Sequence, residues 1–437
     1  MRRILTLVAF IGVMHGVGFL RIPGTPHGSG TLFLGFLLLA SYLAGRASRV
    51  LALPQITGYL VIGLLVGPYV LDLVPRSAVA EFRFVNGVAL ALIALSAGGE
   101  LRLGSVRERL RSIGIITATQ TGLLFLGVSA AVYLVRGGIP FLHGQPPRVG
   151  LAVALLFGLV AVAKSPATTI AVIMEEGARG PLTETVLGIT VVKDVVILVL
   201  IALLLPLATT IVNPELGFDY TSMVEILLEI VGSLGLGAGV GWLVSLYLGR
   251  VRVHPILFVL AVAFLAVKLG EWLHMESILL AMAAGFYVQN FSPAGPRLIR
   301  ALEVNSLPLY ALFFAVAGAD LNLGVLADVW LVAGVLVVAR LLLLYVSTWA
   351  GASAAGDPDE IRHHAWLGFV AQAGVTLGIA NMVRDRFPIW GLDVATIIIA
   401  MIAVNQLLGP PAFRFAILRA GESRASRERR KVRPAHR

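Results

Sequence analysis

The sequence has no cysteine among its 437 residues, and it has few charged residues. The absence of cysteine excludes disulfide bonds, thiolate metal sites and cysteine nucleophiles. Only 13% of the residues are Asp, Glu, Lys or Arg, whereas typical soluble domains contain about a quarter. Because 58% are hydrophobic, a soluble fold could not bury all of the apolar surface. We therefore expect lipid to be the solvent for most of the chain.

Long apolar runs of about 20 residues, the length that crosses a bilayer, recur along the sequence. They are continuously apolar rather than alternating, which favours helices over a β-barrel. We predict an all-α polytopic membrane protein with 13 core transmembrane helices and one extra N-terminal helix. The core spans are predicted at 30–46, 50–74, 84–101, 111–135, 148–175, 182–212, 223–249, 254–272, 275–291, 303–323, 327–353, 362–384 and 391–418.

The extra N-terminal span is predicted at 4–22 and follows two arginines, as in a secretory signal. It lacks a clear small-x-small cleavage site, so we interpret 1–29 as a retained helix or signal anchor. Residues 30–418 form the predicted transmembrane domain, and 419–437 a basic tail. The tail from 424–437 is rich in arginine and poor in apolar residues, a composition that predicts disorder.

The distribution of arginine and lysine predicts the orientation, because cytoplasmic loops of membrane proteins carry an excess of both. With the C-terminus in the cytoplasm, most loop arginines and the basic tail fall inside. We therefore predict a cytoplasmic C-terminus, and we expect an integral protein of the plasma (inner) membrane. The net charge of +10 belongs to these loops and the tail, so we expect no nucleic-acid partner.

Four ionisable residues lie deep inside predicted spans: Lys164, Lys193, Asp194 and Arg340. A charge at the bilayer centre costs roughly 2.5–3.5 kcal/mol on insertion scales, so such residues indicate function. Asp194 is the only acidic residue predicted at mid-span. The alternative is a structural salt bridge between helices, for example between Asp194 and Arg340.

Two predicted spans are interrupted by polar residues at mid-membrane. Proline removes a backbone donor and breaks a helix, and neighbouring hydroxyls can satisfy the freed carbonyls. The interrupted positions are Lys164, Ser165, Pro166, Thr168 and Thr169 in the first span and Gln372, Gly374 and Thr376 in the second. Interrupted helices at matching places in two halves are typical of inverted-repeat secondary transporters. The alternative is an ordinary proline kink.

Catalytic and cofactor motifs are missing from the sequence: we find no P-loop, nucleophile elbow or zinc motif. The glycine run at 232–241 does not follow a strand, and its spacing is typical of close helix packing. We therefore expect no enzyme activity, no cofactor and no bound metal.

Three segments resemble, in chain order, signatures of the monovalent cation–proton antiporter superfamily, which includes the sodium/hydrogen exchanger family. The resemblance is to the Kef-like second branch of this superfamily. The three segments are 53–68 (LPQITGYLVIGLLVGP), 95–101 (LSAGGEL) and 308–318 (PLYALFFAVAG). The resemblance implies a homodimeric secondary transporter that exchanges a monovalent cation for protons by alternating access.

The resemblance also implies roles for individual residues. Asp194 matches the family's ion-binding aspartate, Arg340 the basic residue on a facing helix, and Ser165-Pro166 the broken-helix motif. Two positions depart from the pattern. Lys193 stands where Asp, Asn or Gln is usual, and Lys164 where a small hydroxyl residue is usual. Both place positive charge beside the expected cation site.

The function predicted from these features is exchange of Na⁺ or K⁺ for H⁺. Asp194 would hold either a proton or a dehydrated cation, and an oxygen shell from the hydroxyls of the first break and from backbone carbonyls would suit a hard cation. Two alternatives remain. One is an anion or organic-acid carrier that uses the buried lysines and arginine. The other is a sensor without transport, whose lysines lock the site.

Overall fold

The computed structural model describes residues 30–250, 255–305 and 307–432. The predicted first span at 4–22 lies outside these residues. Within them the chain is helical, without a strand, which confirms the all-α prediction.

The first half of the described chain contains α1 (Gly30–Val50), α2 (Gln55–Val66), α3 (Arg76–Glu81), α4 (Arg83–Glu100), α5 (Leu103–Glu108), α6 (Leu110–Leu134), α7 (Pro147–Val162), α8 (Pro166–Glu176) and α9 (Pro181–Val212). The second half contains α10 (Tyr220–Arg250), α11 (Pro255–Leu273), α12 (Ser277–Phe291), α13 (Gly295–Asn305), α14 (Leu307–Ala319), α15 (Leu323–Ala355), α16 (Asp359–His364), α17 (Gly374–Arg386), α18 (Gly391–Arg419) and α19 (Arg424–Val432). Short 3₁₀ turns lie at Arg136–Gly138, Pro140–Leu142, Pro214–Leu216 and Ala365–Phe369.

Each of the 13 core spans predicted from the sequence overlaps one of these helices or a pair of them. Six segments of the described chain, one of them α7 together with α8, are long and apolar enough to cross a membrane, and one bent pair would make a seventh span. Four apolar helices are shorter, among them α2 and α12. The protein is therefore an integral membrane protein, while the number of 13 crossings stays a prediction.

Helices α1, α2, α4, α10, α11, α12 and α14 pack against one another, and we call them the scaffold group. Helices α6, α7, α8, α9, α15, α17 and α18 pack into a second set, the site group, which contains both interrupted spans. The groups are joined through α9 and α10 and meet where α8 faces α4 and α18 faces α2. The deep charged residues all belong to the site group.

Glycines allow the helices of the scaffold group to approach closely. A side chain at Gly63 of α2 would collide with the backbone of α14, and one at Gly318 of α14 with the backbone of α2. Gly237 and Gly241 of α10 face the backbone of α12 in the same way. The glycine run of α10 therefore serves helix packing, as its spacing predicted.

Polar contacts close the junction between the two groups on the side of the C-terminus. Glu175, near the end of α8, accepts a hydrogen bond of 2.6 Å from the Gln55 backbone amide at the start of α2. Arg414 of α18 donates to the Ala52 carbonyl and pairs with Glu176 at 2.6 Å. A movement of the site group against the scaffold would have to break these contacts.

The prediction of disorder from residue 424 onward is wrong for the part of the tail that the structure describes. Helix α19 begins at Arg424, and the Ser423 hydroxyl caps it by accepting from the Ser426 amide at 3.2 Å. Arg427 donates to the Gly177 carbonyl after α8. Contacts with the membrane domain therefore stabilise a segment whose composition alone favours disorder.

Glu422, two residues before this tail helix, also anchors the helix that carries Asp194. The Glu422 carboxylate accepts from the backbone amides of Leu182 at 2.7 Å and Thr183 at 2.8 Å. These amides lie in the first turn of α9, where a carboxylate is stabilised by the helix dipole. The contact fixes the N-terminal end of α9 to the C-terminal segment.

Candidate functional site

The first interrupted span is a helix that stops and restarts within the membrane domain. Helix α7 ends at Val162, and α8 begins at Pro166, whose position at the first turn needs no backbone donor. The Ser165 hydroxyl caps α8 by accepting from the Thr168 amide at 3.2 Å. The Thr169 hydroxyl donates to the Gly368 carbonyl at 3.0 Å, which links the first break to the second.

The second interrupted span bends by 48° between 359–369 and Gly374–Arg386. Its non-helical residues cross the first break, and the Ser165 amide donates to the Ala371 carbonyl at 2.8 Å. Gly374 begins α17. The two interruptions that the sequence predicted separately therefore meet in space.

Gln372 links the two breaks through its side-chain amide. Its Nε2 donates to the carbonyls of Val160 at 2.8 Å and Ala163 at 3.2 Å, and its Oε1 accepts from Asn405 of α18 at 2.8 Å. The nearby Thr376 is fully buried, and its hydroxyl has no hydrogen-bond partner among the described residues. Gln372 therefore links α7 and α18 through the second break, while the Thr376 hydroxyl remains an unbonded polar group among the described residues.

Arg340 of α15 is fully buried, and its guanidinium reaches both breaks. It donates four hydrogen bonds of 2.9–3.0 Å, all to backbone carbonyls at the C-terminal ends of the interrupted segments. These carbonyls belong to Ala161, Ala163, Phe369 and Val370. Helix C-termini carry partial negative charge, which the arginine neutralises.

This arrangement changes two expectations from the sequence. Arg340 bonds to backbone carbonyls, and Lys164, not Arg340, forms the ion pair with Asp194. The carbonyls that we expected to complete a cation's oxygen shell already accept from Arg340 and Gln372. The hydroxyls of Ser165 and Thr168 bond locally, at 3.0 Å from each other.

Asp194 and Lys164 form a buried ion pair beside the two breaks. The Lys164 Nζ lies 3.9 Å from Asp194 Oδ1, which is longer than a hydrogen bond. Both side chains are buried, and neither Lys164 Nζ nor Asp194 Oδ2 has a hydrogen-bond partner among the described residues. Buried charged groups normally satisfy their hydrogen bonds. The pair therefore keeps unused capacity to bind a proton or an ion.

Lys193, the neighbour of Asp194 on α9, points toward a different helix. Its Nζ donates to Gln120 Oε1 of α6 at 2.8 Å and lies 5.6 Å from the centre of the Phe369 ring. Gln120 in turn donates to the Thr348 hydroxyl of α15 at 2.6 Å. Gln120 and Thr348 were missed in the sequence, where the only signal was an amide side chain within a predicted span.

A pocket lies between the two breaks and the scaffold group. The two breaks contribute Ser165, Pro166, Ala167, Ala373 and Gly374 to its lining. The opposite wall is apolar and comes from α4, α12 and α14, with residues such as Ile93, Met282 and Phe313. The pocket thus lies between the two groups of helices, and Ser165 is the predicted ion-binding residue that lines it.

The family model for the transmembrane domain of sodium/hydrogen exchangers matches residues 34–416. The chain belongs to the sodium/hydrogen exchanger family. The match covers both interrupted spans and all four deep charged residues. The resemblance found in the three sequence segments is thereby confirmed for the family, which is a family of transporters rather than enzymes.

Individual relatives agree with this membership. This exchanger-family chain is 23% identical to the Na(+)/H(+)-K(+) antiporter GerN of Bacillus cereus over 405 residues, which cover 87% of this chain and 95% of GerN. A structure of the sodium proton antiporter MjNhaP1 from Methanocaldococcus jannaschii at pH 8 matches with a TM-score of 0.66 and 16% identity, over 89% of this chain and 98% of that one. A second MjNhaP1 structure, from electron microscopy, gives 0.71 and 17% over 89% and 95%. The chain thus shares the fold of MjNhaP1.

Proposed function

We propose that this protein exchanges a monovalent cation, Na⁺ or K⁺, for protons, and that Asp194 is the exchanging site. The observation that carries the proposal is the buried Asp194 carboxylate, which faces an ammonium at 3.9 Å and retains an unpaired oxygen. GerN, which is named a Na(+)/H(+)-K(+) antiporter, supports the same activity. Deep carboxylates in transporters commonly bind ions or relay protons.

The exchange rests on competition for one carboxylate. A proton on Asp194 neutralises it, and a dehydrated cation can bind only when the proton has left. Lys164 enters this competition because its ammonium is a monovalent cation tethered beside Asp194. The substrate cation therefore has to displace the lysine from the carboxylate, and the lysine returns when the cation leaves.

Access to the site alternates when the site group moves against the scaffold group. The Glu175 and Arg414 contacts hold the junction closed on the side of the C-terminus, which this proposal places in the cytoplasm of the plasma (inner) membrane. The two interrupted spans belong to inverted repeats, whose broken helices surround a midplane site. A homodimer would form through the scaffold group, as the family resemblance implies.

The contacts of the buried cations favour this function over anion transport. Arg340 directs its four hydrogen bonds to carbonyls, and Lys193 donates to Gln120. Of the three basic residues near the breaks, only Lys164 keeps an ammonium without a hydrogen bond among the described residues. An anion at this site would therefore be attracted by the Lys164 ammonium and repelled by the Asp194 carboxylate beside it.

The proposal is tested with purified protein in liposomes that carry an internal pH dye and an imposed pH gradient. Addition of Na⁺ or K⁺ is expected to move protons, whereas choline is expected to move none. Proton or anion movement that depends on chloride or an organic acid would instead support an anion carrier. The absence of any ion flux would support a sensor.

Replacing Lys164 with methionine is expected to lower the KM for the transported cation. The ammonium that competes for Asp194 is removed, and a methionine fills a similar volume. We expect a decrease of about tenfold or more, since a lost competition of about 1.4 kcal/mol corresponds to that factor. The measurement is cation-driven exchange at the same neutral pH for both proteins, so that proton competition for the carboxylate is equal and the lysine of the wild type carries its charge.

The matched control is Lys268→Met. Lys268 is exposed and pairs with Glu271 at 2.6 Å near the end of α11, so its removal is expected to leave the KM unchanged. A higher KM in Lys164→Met would contradict the tethered-cation role and indicate that Lys164 helps to hold the substrate.

A further inference from the structure

Two lysines flank Asp194, and the structure directs only one of them toward it. Lys164 faces the carboxylate, whereas the Lys193 ammonium lies against Gln120 and Phe369. Lys193 is the direct neighbour of Asp194 on α9, and its flexible four-carbon stem allows the ammonium to swing. Something must therefore hold Lys193 in its observed direction.

We propose that Gln120, oriented by Thr348, is a positioning residue that holds Lys193 away from Asp194 and keeps the carboxylate accessible to the transported cation. The inference rests on the proposed function of Asp194 as the exchanging site. It assigns a role to α6, a helix that contributes no residue to the ion pair itself.

The hydrogen bonds of Thr348 determine which end of the Gln120 amide faces the lysine. The Thr348 hydroxyl donates its one hydrogen to the Leu344 carbonyl at 2.6 Å. It can therefore only accept from Gln120, whose Nε2 lies 2.6 Å away. The amide oxygen must then point the other way, toward Lys193 Nζ at 2.8 Å. The chain of bonds presents an acceptor, and not a second donor, to the ammonium.

Burial makes this acceptor necessary. Lys193 is only 2% exposed, and Gln120 and Thr348 are fully buried. A buried ammonium without a hydrogen bond is costly, so it would turn to the nearest acceptor. The Phe369 ring stabilises the charge in its present place but supplies no acceptor atom. Without the Gln120 oxygen, we expect the ammonium to turn toward the Asp194 carboxylate, its neighbour on α9.

The consequence concerns how firmly the carboxylate is occupied. Lys164 lies at 3.9 Å, beyond hydrogen-bond distance, and can be displaced. A direct hydrogen bond from Lys193 to the carboxylate would be shorter and stronger. Gln120 therefore prevents Lys193 from competing strongly for the carboxylate and leaves Lys164 as the weak competitor that a cation can displace.

The test uses Gln120→Met, which removes the acceptor at similar volume, together with Lys193→Met and the double variant. In liposomes, Gln120→Met is expected to raise the cation KM about tenfold, equivalent to about 1.4 kcal/mol of added competition. In the double variant the KM is expected to return to the value of Lys193→Met alone. A double variant as impaired as Gln120→Met, or an unchanged KM in Gln120→Met, would overturn the inference.

A second readout does not depend on transport. A hydrophobic carbodiimide reacts with protonated buried carboxyl groups, and mass spectrometry can follow its addition to Asp194. Pairing with Lys193 keeps the carboxyl ionised, so labelling is expected to slow in Gln120→Met and to recover in the double variant. Equal labelling rates in all forms would refute the positioning role. If labelling follows the expectation while the wild-type protein carries no cation, the positioning role stands and only the proposed exchange fails.

Discussion

Asp194→Asn is expected to abolish cation-driven proton movement, to the level of empty liposomes. Asparagine has nearly the same shape, so the fold and the expression level should persist. It carries no negative charge and cannot take up a proton at this position, so it can bind neither of the two competing ions. The measurement is the dye-reported proton flux after addition of Na⁺ or K⁺ to liposomes with purified protein.

Asp357→Asn is the matched control. Asp357 is also buried, but it lies beyond α15 and accepts from the Ser112 hydroxyl at 2.7 Å. The asparagine oxygen can still accept that hydrogen bond, so exchange should continue. Flux at the wild-type rate in Asp194→Asn would remove Asp194 from the mechanism and with it the proposed site.

The positions of the helices could be predicted from the sequence because the membrane limits their length and composition. The two breaks could be predicted because proline and glycine interrupt helices for local reasons, at Pro166 and Gly374 alike. Deep charges such as Asp194 and Lys164 are visible for a similar reason, since each is costly in an apolar run. These features depend on residues that lie close together along the chain.

The partners of those charges could not be predicted, because they depend on the rotation of each helix and on side-chain direction. From the sequence, Lys164 and Lys193 are equivalent neighbours of the site, yet only Lys164 faces Asp194. Arg340 was paired with a carboxylate in one hypothesis, whereas it bonds to backbone carbonyls. Backbone acceptors leave no residue-specific pattern in a sequence. Gln120 was missed for the same reason, since its role depends on a lysine 73 positions away.

Arg340→Met is expected to destabilise the protein strongly and to abolish exchange. The substitution removes four hydrogen bonds to the carbonyls at both breaks, of which, among the described residues, only the Ala163 carbonyl keeps a second side-chain donor, Gln372. An unsatisfied buried polar group costs about 1–3 kcal/mol. The expected loss of several kcal/mol is large compared with the net stability of a folded domain, about 5–15 kcal/mol. Thermal unfolding in detergent, followed by size-exclusion chromatography, measures the effect.

Arg136→Met provides the comparison. Arg136 donates to the Tyr133 carbonyl at 2.9 Å and lies over the Tyr133 ring, within one turn of the chain. Its loss affects two contacts with one nearby residue, so the unfolding temperature should change little. An Arg340→Met variant with the stability of Arg136→Met would show that the breaks hold together without the guanidinium.

Arg340→Lys then separates the charge of Arg340 from its geometry. Lysine keeps the positive charge at the two helix ends but offers three donors from one point, whereas the planar guanidinium reaches four carbonyls on two segments. Stability between that of the wild type and Arg340→Met is therefore expected. Because the observed hydrogen bonds of Arg340 go to carbonyls and the Asp194 ion pair is made by Lys164, the folded fraction of Arg340→Lys should exchange cations with a KM close to that of the wild type. A large change in KM at normal stability would instead mean that Arg340 acts on the ion directly, and that the two breaks are held by Gln372 and the Ser165–Ala371 contact.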